Sequence, residues 1–152
     1  MARKIKISVG SATAIALLHD NEAPQTCQQI WEQLPLTGLL QHGNVDGPAV
    51  FLPLPKDLRL EPENQTVYPI EGDLMYYYKP INYVQLDIPI AKRELEVIGL
   101  VRGRDAQIMG PIFPLPVNLF GQLIEGKEEL YSEINRMREE GFDNITISKY
   151  ED

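Results

Sequence analysis

The arrangement of two periodicities along this chain restricts its fold more than any single motif does. Apolar residues alternate at every second position in "KIKISV" and "TAIALL", which "GSA" separates near the start. That is a hairpin pattern, with Gly10 and Ser11 supplying the turn. Five further stretches rich in β-branched and aromatic residues follow: "TGLLQHG", "PAVFLPLP", "GDLMYYY", "NYVQLDIPI" and "RELEVIGLVRG". A last alternating run, "DNITISKYE", closes the chain. Helical spacing occurs in only two places, far apart. In "HDNEAPQTCQQIWEQLP", residues Ala23, Cys27, Ile30, Trp31 and Leu34 form one apolar stripe. In "GKEELYSEINRMREEG", Leu130, Ile134 and Met137 do the same. About eight strands with two widely separated helices predict a mainly β fold, a closed antiparallel barrel with a helix over each open end. Closure removes the exposed sheet edges that so many strands would otherwise leave.

Local signals set the expected boundaries. Asp20 and Asn21 are the N-cap candidates of the first helix, Pro24 suits its first turn and Pro35 stops it. Gly141 is the expected C-cap of the second, and Arg136 and Arg138 complement its dipole. Trp31 and Cys27 are expected to face the core. The segment "KDLRLEPENQTVYPIEG" reads as a long excursion, of the kind that often carries function. "MGPIFPLPVNLF" has three prolines and is expected to cross as an extended segment outside the strand ladder.

Length and composition exclude several classes. A chain of 152 residues, 43% hydrophobic and 24% charged, is one globular domain with a real core. No apolar run follows the basic start "MARKIKISVG", and none elsewhere is long enough to cross a membrane. Cys27 is the only cysteine, so no disulfide framework exists and a cytoplasmic location is expected. The sequons at Asn64 and Asn144 are then chance matches. Net charge of −8 argues against nucleic acid and acidic membrane as partners. The densest basic stretch, "RGR" at 102–104, reads as a solvated hairpin end. No cofactor or metal site is expected: His19 and His42 lack ligand spacing with a third residue, and neither a phosphate loop nor a nucleophile elbow occurs.

Two segments carry a family resemblance. "IALLHDNEAPQTCQQI" is similar to the cyclophilin segment in which an acidic turn and Ala-Pro-x-Thr open the first helix. "LFGQLIEGKEEL" resembles the cyclophilin strand Phe-Gly-x-Val-x-Glu-Gly before the second helix. Over most of the chain, "APQTCQQIWEQLP", "QHGNVDGPAVFLPLP", "PENQTVYPIEGDLMYYY" and "NLFGQLIEG" resemble a small bacterial family of cyclophilin-like proteins of unknown function. The resemblance implies the same barrel with two helices. The cyclophilin isomerase signature is missing: "LLQHG" stands where Phe-His-Arg would fall, "GPAVFLPLP" at the Gln-Gly-Gly region and "MYYY" at Met-Ala-Asn. Arg102 or Arg104 is left as a substitute arginine only by geometry.

The expected function is therefore a binding module for a small molecule or peptide, with its groove lined by His42, Phe51, Tyr76, Tyr78, Phe113 and Asn118. Tyr76 and Tyr78 share one face of a strand and Tyr77 takes the other. Two alternatives stand beside it, a degenerate prolyl isomerase and a small-substrate enzyme using His42 as acid or base. A homo-oligomer, most simply a two-fold dimer, is also expected, from the apolar surface of the proline-rich crossing.

Overall fold

The fold was obtained as a computed structural model, which describes residues 2–42, 48–55, 57–79, 95–104, 106–108, 114–141 and 144–151. Ten strands are assigned there: β1 (Lys4–Val9), β2 (Ala12–Leu18), β3 (Leu36–Leu39), β4 (Gln41–His42), β5 (Ala49–Pro53), β6 (Gln65–Thr66), β7 (Asp73–Lys79), β8 (Leu95–Val101), β9 (Val117–Glu125) and β10 (Asn144–Tyr150). The helices are α1 (Pro24–Gln33) and α2 (Lys127–Glu140). Nine strands follow one path, β3-β10-β1-β2-β9-β7-β8-β5-β4, and every pairing along it is antiparallel. The two ends of that path, β3 and β4, are separated in the chain by Leu40 alone. One bent segment thus pairs with β10 on one side and β5 on the other, which nearly closes the barrel into eight staves. The expected mainly β barrel with two helices is the fold observed.

Residues alternate between two cores. The inner one joins Ile5, Ile7, Leu52, Leu74, Tyr76, Ile98, Leu100 and Phe120 to the buried faces of both helices. The outer one holds Phe51, Met75, Tyr77, Val97 and Val117 beneath Ala106, Ile108 and Leu115. Among the described residues, packing is close enough that the void between Ile7, Leu40, Leu52, Leu74 and Ile98 in the barrel interior measures about 10 Å³. That is at the lower limit for one water molecule, so the barrel encloses side chains rather than a ligand.

The helices close opposite ends. α1 follows the end of β2 and sits where β7 finishes and β9 begins; α2 follows the end of β9, beside the β1–β2 turn and the start of β7. Gly126 makes the tight entry into α2 with φ +76, and a Cβ there would run into the carbonyl oxygen of Thr13. Glycine is required on both counts.

Three expectations need correction. Neither Asp20 nor Asn21 caps α1. The N-cap is Ala23, without a side-chain hydrogen bond, and Asp20 instead accepts from the Arg3 amide at 2.7 Å and its guanidinium at 2.8 Å. Burial alone would raise the Asp20 pKa, but those bonds hold it below its usual value. Val117–Phe120 belong to the β9 ladder rather than to an unpaired crossing, since the prolines end at Pro116. Trp31 is only partly buried, its ring flanked by Arg3 at 4.9 Å and Lys149 at 5.0 Å. Cys27 is fully buried as expected. The expected strand "NYVQLDIPI" lies outside the described residues.

Candidate functional site

At the α1 end, residues 57–64 cross the barrel as a strap held chiefly through its main chain. Glu96 Oε1 accepts hydrogen bonds from the Leu58 amide at 2.7 Å and the Arg59 amide at 3.2 Å. The Tyr76 hydroxyl accepts from the Leu60 amide at 3.0 Å and donates to the same Glu96 oxygen at 3.0 Å. Asn118 donates to the Glu61 carbonyl at 3.0 Å and to Thr26 Oγ1 at 3.1 Å, and its Oδ1 accepts from the Glu63 amide at 3.2 Å. Asn64 and Leu119 exchange two further bonds. Arg59 (φ 48) and Asn64 (φ 51) take the left-handed backbone that these contacts impose. Asparagine tolerates that region, whereas arginine rarely adopts it.

Glu63 completes the arrangement. Its carboxylate accepts from the amides of Gln25 at 3.2 Å and Thr26 at 2.8 Å, capping α1 from the strap. This explains how a helix whose own N-cap is alanine satisfies its first amides.

Two recesses flank the strap. One, of about 450 Å³, lies between its outer edge and the first turns of α1. The other, of about 290 Å³, lies between the strap and the barrel wall formed by Tyr76, Tyr77, Tyr78, Pro116 and Asn118. Arg59, Leu60, Glu61 and Pro62 border both.

Three of the six residues expected to line a groove meet in the second recess: Tyr76, Tyr78 and Asn118. Tyr76 and Asn118 are buried, with their polar atoms engaged by the strap, while Tyr78 is partly exposed. Burial, reinforced by Glu96, raises the Tyr76 pKa well above that of a free phenol. The structure separates the others. Phe51 pairs with Gly99 on the outer face, in edge-to-face contact with Tyr77 at 6.3 Å. His42 pairs with Val50 on β5 and lies toward the α2 end. Phe113 lies outside the described residues.

The surroundings of the remaining candidates limit their chemistry. Burial, and then the charges of Arg102 and Arg138, lower the His42 pKa. Arg102 donates to Asn135 of α2 at 2.9 Å, far from the tyrosine recess, and Arg104 is exposed. Burial pushes the Cys27 thiol up to about 12, and it donates to the Phe120 carbonyl at 3.2 Å. Such a thiol is a packing element rather than a nucleophile. Among the described residues no three His, Cys, Asp or Glu side chains cluster as metal ligands, and no helix is long and apolar enough to cross a membrane.

Sequence reasoning missed Glu96, Glu63 and Thr26. Glu96 carried a readable signal: it shares a strand face with Ile98 and Leu100, a carboxylate in core register. Glu63 carried none, because the helix it caps is 37 residues away along the chain.

A search of curated proteins finds no match. Among solved structures, McbB in complex with tryptophan aligns with a TM-score of 0.68 at 15% identity, over 97% of this chain and 45% of McbB. This chain thus spans less than half of that protein. The solution structure of the hypothetical protein AF2241 from Archaeoglobus fulgidus aligns with a TM-score of 0.54 at 17% identity, over 98% and 95% of the two chains. At such identities the likeness shows the fold alone. The family model described as "Protein of unknown function (DUF3830)" matches residues 5–149. The chain therefore belongs to the DUF3830 family, whose function is unknown.

Proposed function

We propose that this chain is a cyclophilin-like binding module for a small molecule or peptide, lacking the cyclophilin catalytic set. One observation carries the reading: Tyr76, Tyr78 and Asn118 converge on a recess of about 290 Å³ beside the strap. The packed barrel interior supports placing the ligand at a surface recess of this kind. Tyr78 offers an aromatic face and a hydroxyl, while the strap supplies main-chain groups and the ring of Pro62. The McbB structure is of a complex with tryptophan, which makes amino-acid-sized molecules a class to include among the compounds screened. A cytoplasmic location and a two-fold dimer belong to the same proposal. Tyr68 and Ile70, 71% and 62% exposed, are apolar surface that an interface would cover. Net charge of −8 speaks against nucleic acid as a partner.

The two alternatives gain no specific observation. His42 lies toward the other end of the barrel from the recess, and Arg102 is tied to α2. A thermal-shift screen of metabolites and proline-containing peptides tests the proposal, since a ligand of the folded state raises its stability by mass action. A hit whose shift shrinks in Tyr78→Phe or Tyr78→Ala supports it. Hits that ignore both substitutions, or acceleration of prolyl isomerisation by the protein, would overturn it.

A further inference from the structure

The inner face of the α1 end holds a carboxylate that the strap uses only on one side. Glu96 is 7% exposed, and three donors converge on its Oε1: the Leu58 and Arg59 amides and the Tyr76 hydroxyl. Its Oε2 is closed from solvent and has no hydrogen-bond partner among the described residues. An oxygen so placed has lost its water without gaining a donor, which is unfavourable unless something else fills the position.

The neighbourhood says what would fit. Glu96 and Tyr78 are directly opposed across β8 and β7, and Tyr76 stands on the same face. Both tyrosines line the 290 Å³ recess. Glu61 also borders it, while the bordering cation Arg59 is shared with Asp57 at 3.6 Å. Lys79, a buried cation on the same strand, pairs with Leu95 and shares a strand face with Tyr77, while Glu96 is on the face of Tyr76 and Tyr78. The recess is therefore aromatic at its wall, and Glu96 lies beside that wall, opposite Tyr78 and bonded to Tyr76.

Resting on the binding-module reading, we propose that Glu96 Oε2 is the anchor for the ammonium group of a small aromatic amine seated against Tyr78. A primary ammonium supplies the donor that this oxygen lacks and the charge that suits it, and a tyrosine face favours the same cation. Access runs past the Leu58–Leu60 turn, whose two amides close over the carboxylate. Arg59 holds that turn in a left-handed conformation, the strained point from which it lifts.

The test is calorimetric titration of tyramine, p-cresol and phloretic acid, which share a phenol and differ in charge. Tyramine should bind the wild type roughly ten-fold or more tighter than p-cresol, with phloretic acid weakest. Glu96→Gln should abolish that order, whereas Glu61→Gln should keep it. The Glu96 carboxyl carbon resonance should also move with tyramine and not with p-cresol, a reading in the wild type that does not depend on how the variants fold. Equal affinity for amine and cresol overturns the proposal, as does loss of the preference in Glu61→Gln in place of Glu96→Gln. Silence of all three probes overturns the amine anchor too, while the broader screen judges the recess separately.

Discussion

The Tyr76 hydroxyl sits between the strap and the barrel, accepting from the Leu60 amide and donating to Glu96 Oε1, each at 3.0 Å. Removing it leaves a partly buried amide without its acceptor and a buried carboxylate with one donor fewer. Tyr76→Phe should therefore lower unfolding free energy by about 1–3 kcal/mol in urea melts. Tyr78→Phe, at a partly exposed ring, should change stability by less than about 0.5 kcal/mol. It should instead weaken a polar ligand of the recess by about 0.5–1.5 kcal/mol.

Asn118 ties β9, α1 and the strap together with one side chain. Asn118→Ala should speed hydrogen exchange at the strap amides well before it affects β1 and β2, because local opening then needs fewer bonds broken. Glu63→Ala should uncap α1 at a cost of about 1 kcal/mol. Uniform exchange across strap and barrel in both variants would show that the strap does not open as a unit.

The pH dependence of stability should reveal His42. Its folded pKa lies below the ordinary value near 6.5, through burial and then through Arg102 and Arg138. A depressed imidazole stabilises the fold above its unfolded pKa and loses that contribution as pH falls through the folded one. Wild type should therefore lose stability below about pH 6.5 relative to His42→Gln. Asp20, also held below its usual value, has the same sign but acts in the carboxylate range, so the two are separable. Parallel curves for wild type and His42→Gln between pH 7 and 5 would contradict the assignment.

Gly126 offers a backbone test. An alanine there must adopt φ +76 and displace the Thr13 carbonyl, so Gly126→Ala should cost on the order of 2 kcal/mol or more in denaturant melts. An unchanged midpoint would mean that the entry to α2 is not built as described.

Much of the barrel was legible because local pattern and tertiary position agree. Ile5, Ile7 and Val9 alternate with Lys4, Lys6 and Ser8 and are buried as the alternation says. The opposed faces of Tyr76 and Tyr77 followed from the same rule. The groove was not legible as drawn. Phe51 and Tyr76 both belong to apolar strands with two buried faces, so alternation alone cannot tell which face is the barrel interior. His42 was grouped with the tyrosines from its place in sequence, yet the bend at Leu40 carries β4 to the free side of β5, toward the α2 end. The segment that forms the strap was legible as a long excursion, but its anchors Glu96 and Asn118 lie 38 and 55 residues from the amides they hold.

The central claim is that the recess at the α1 end is where this chain binds. Chemical-shift mapping with any compound that raises its melting temperature tests this most directly. The account predicts that the largest shifts fall on Leu60, Tyr76, Tyr78 and Asn118, with His42 and Phe51 unmoved. Shifts centred on His42 and Arg102, with the strap unaffected, would contradict it.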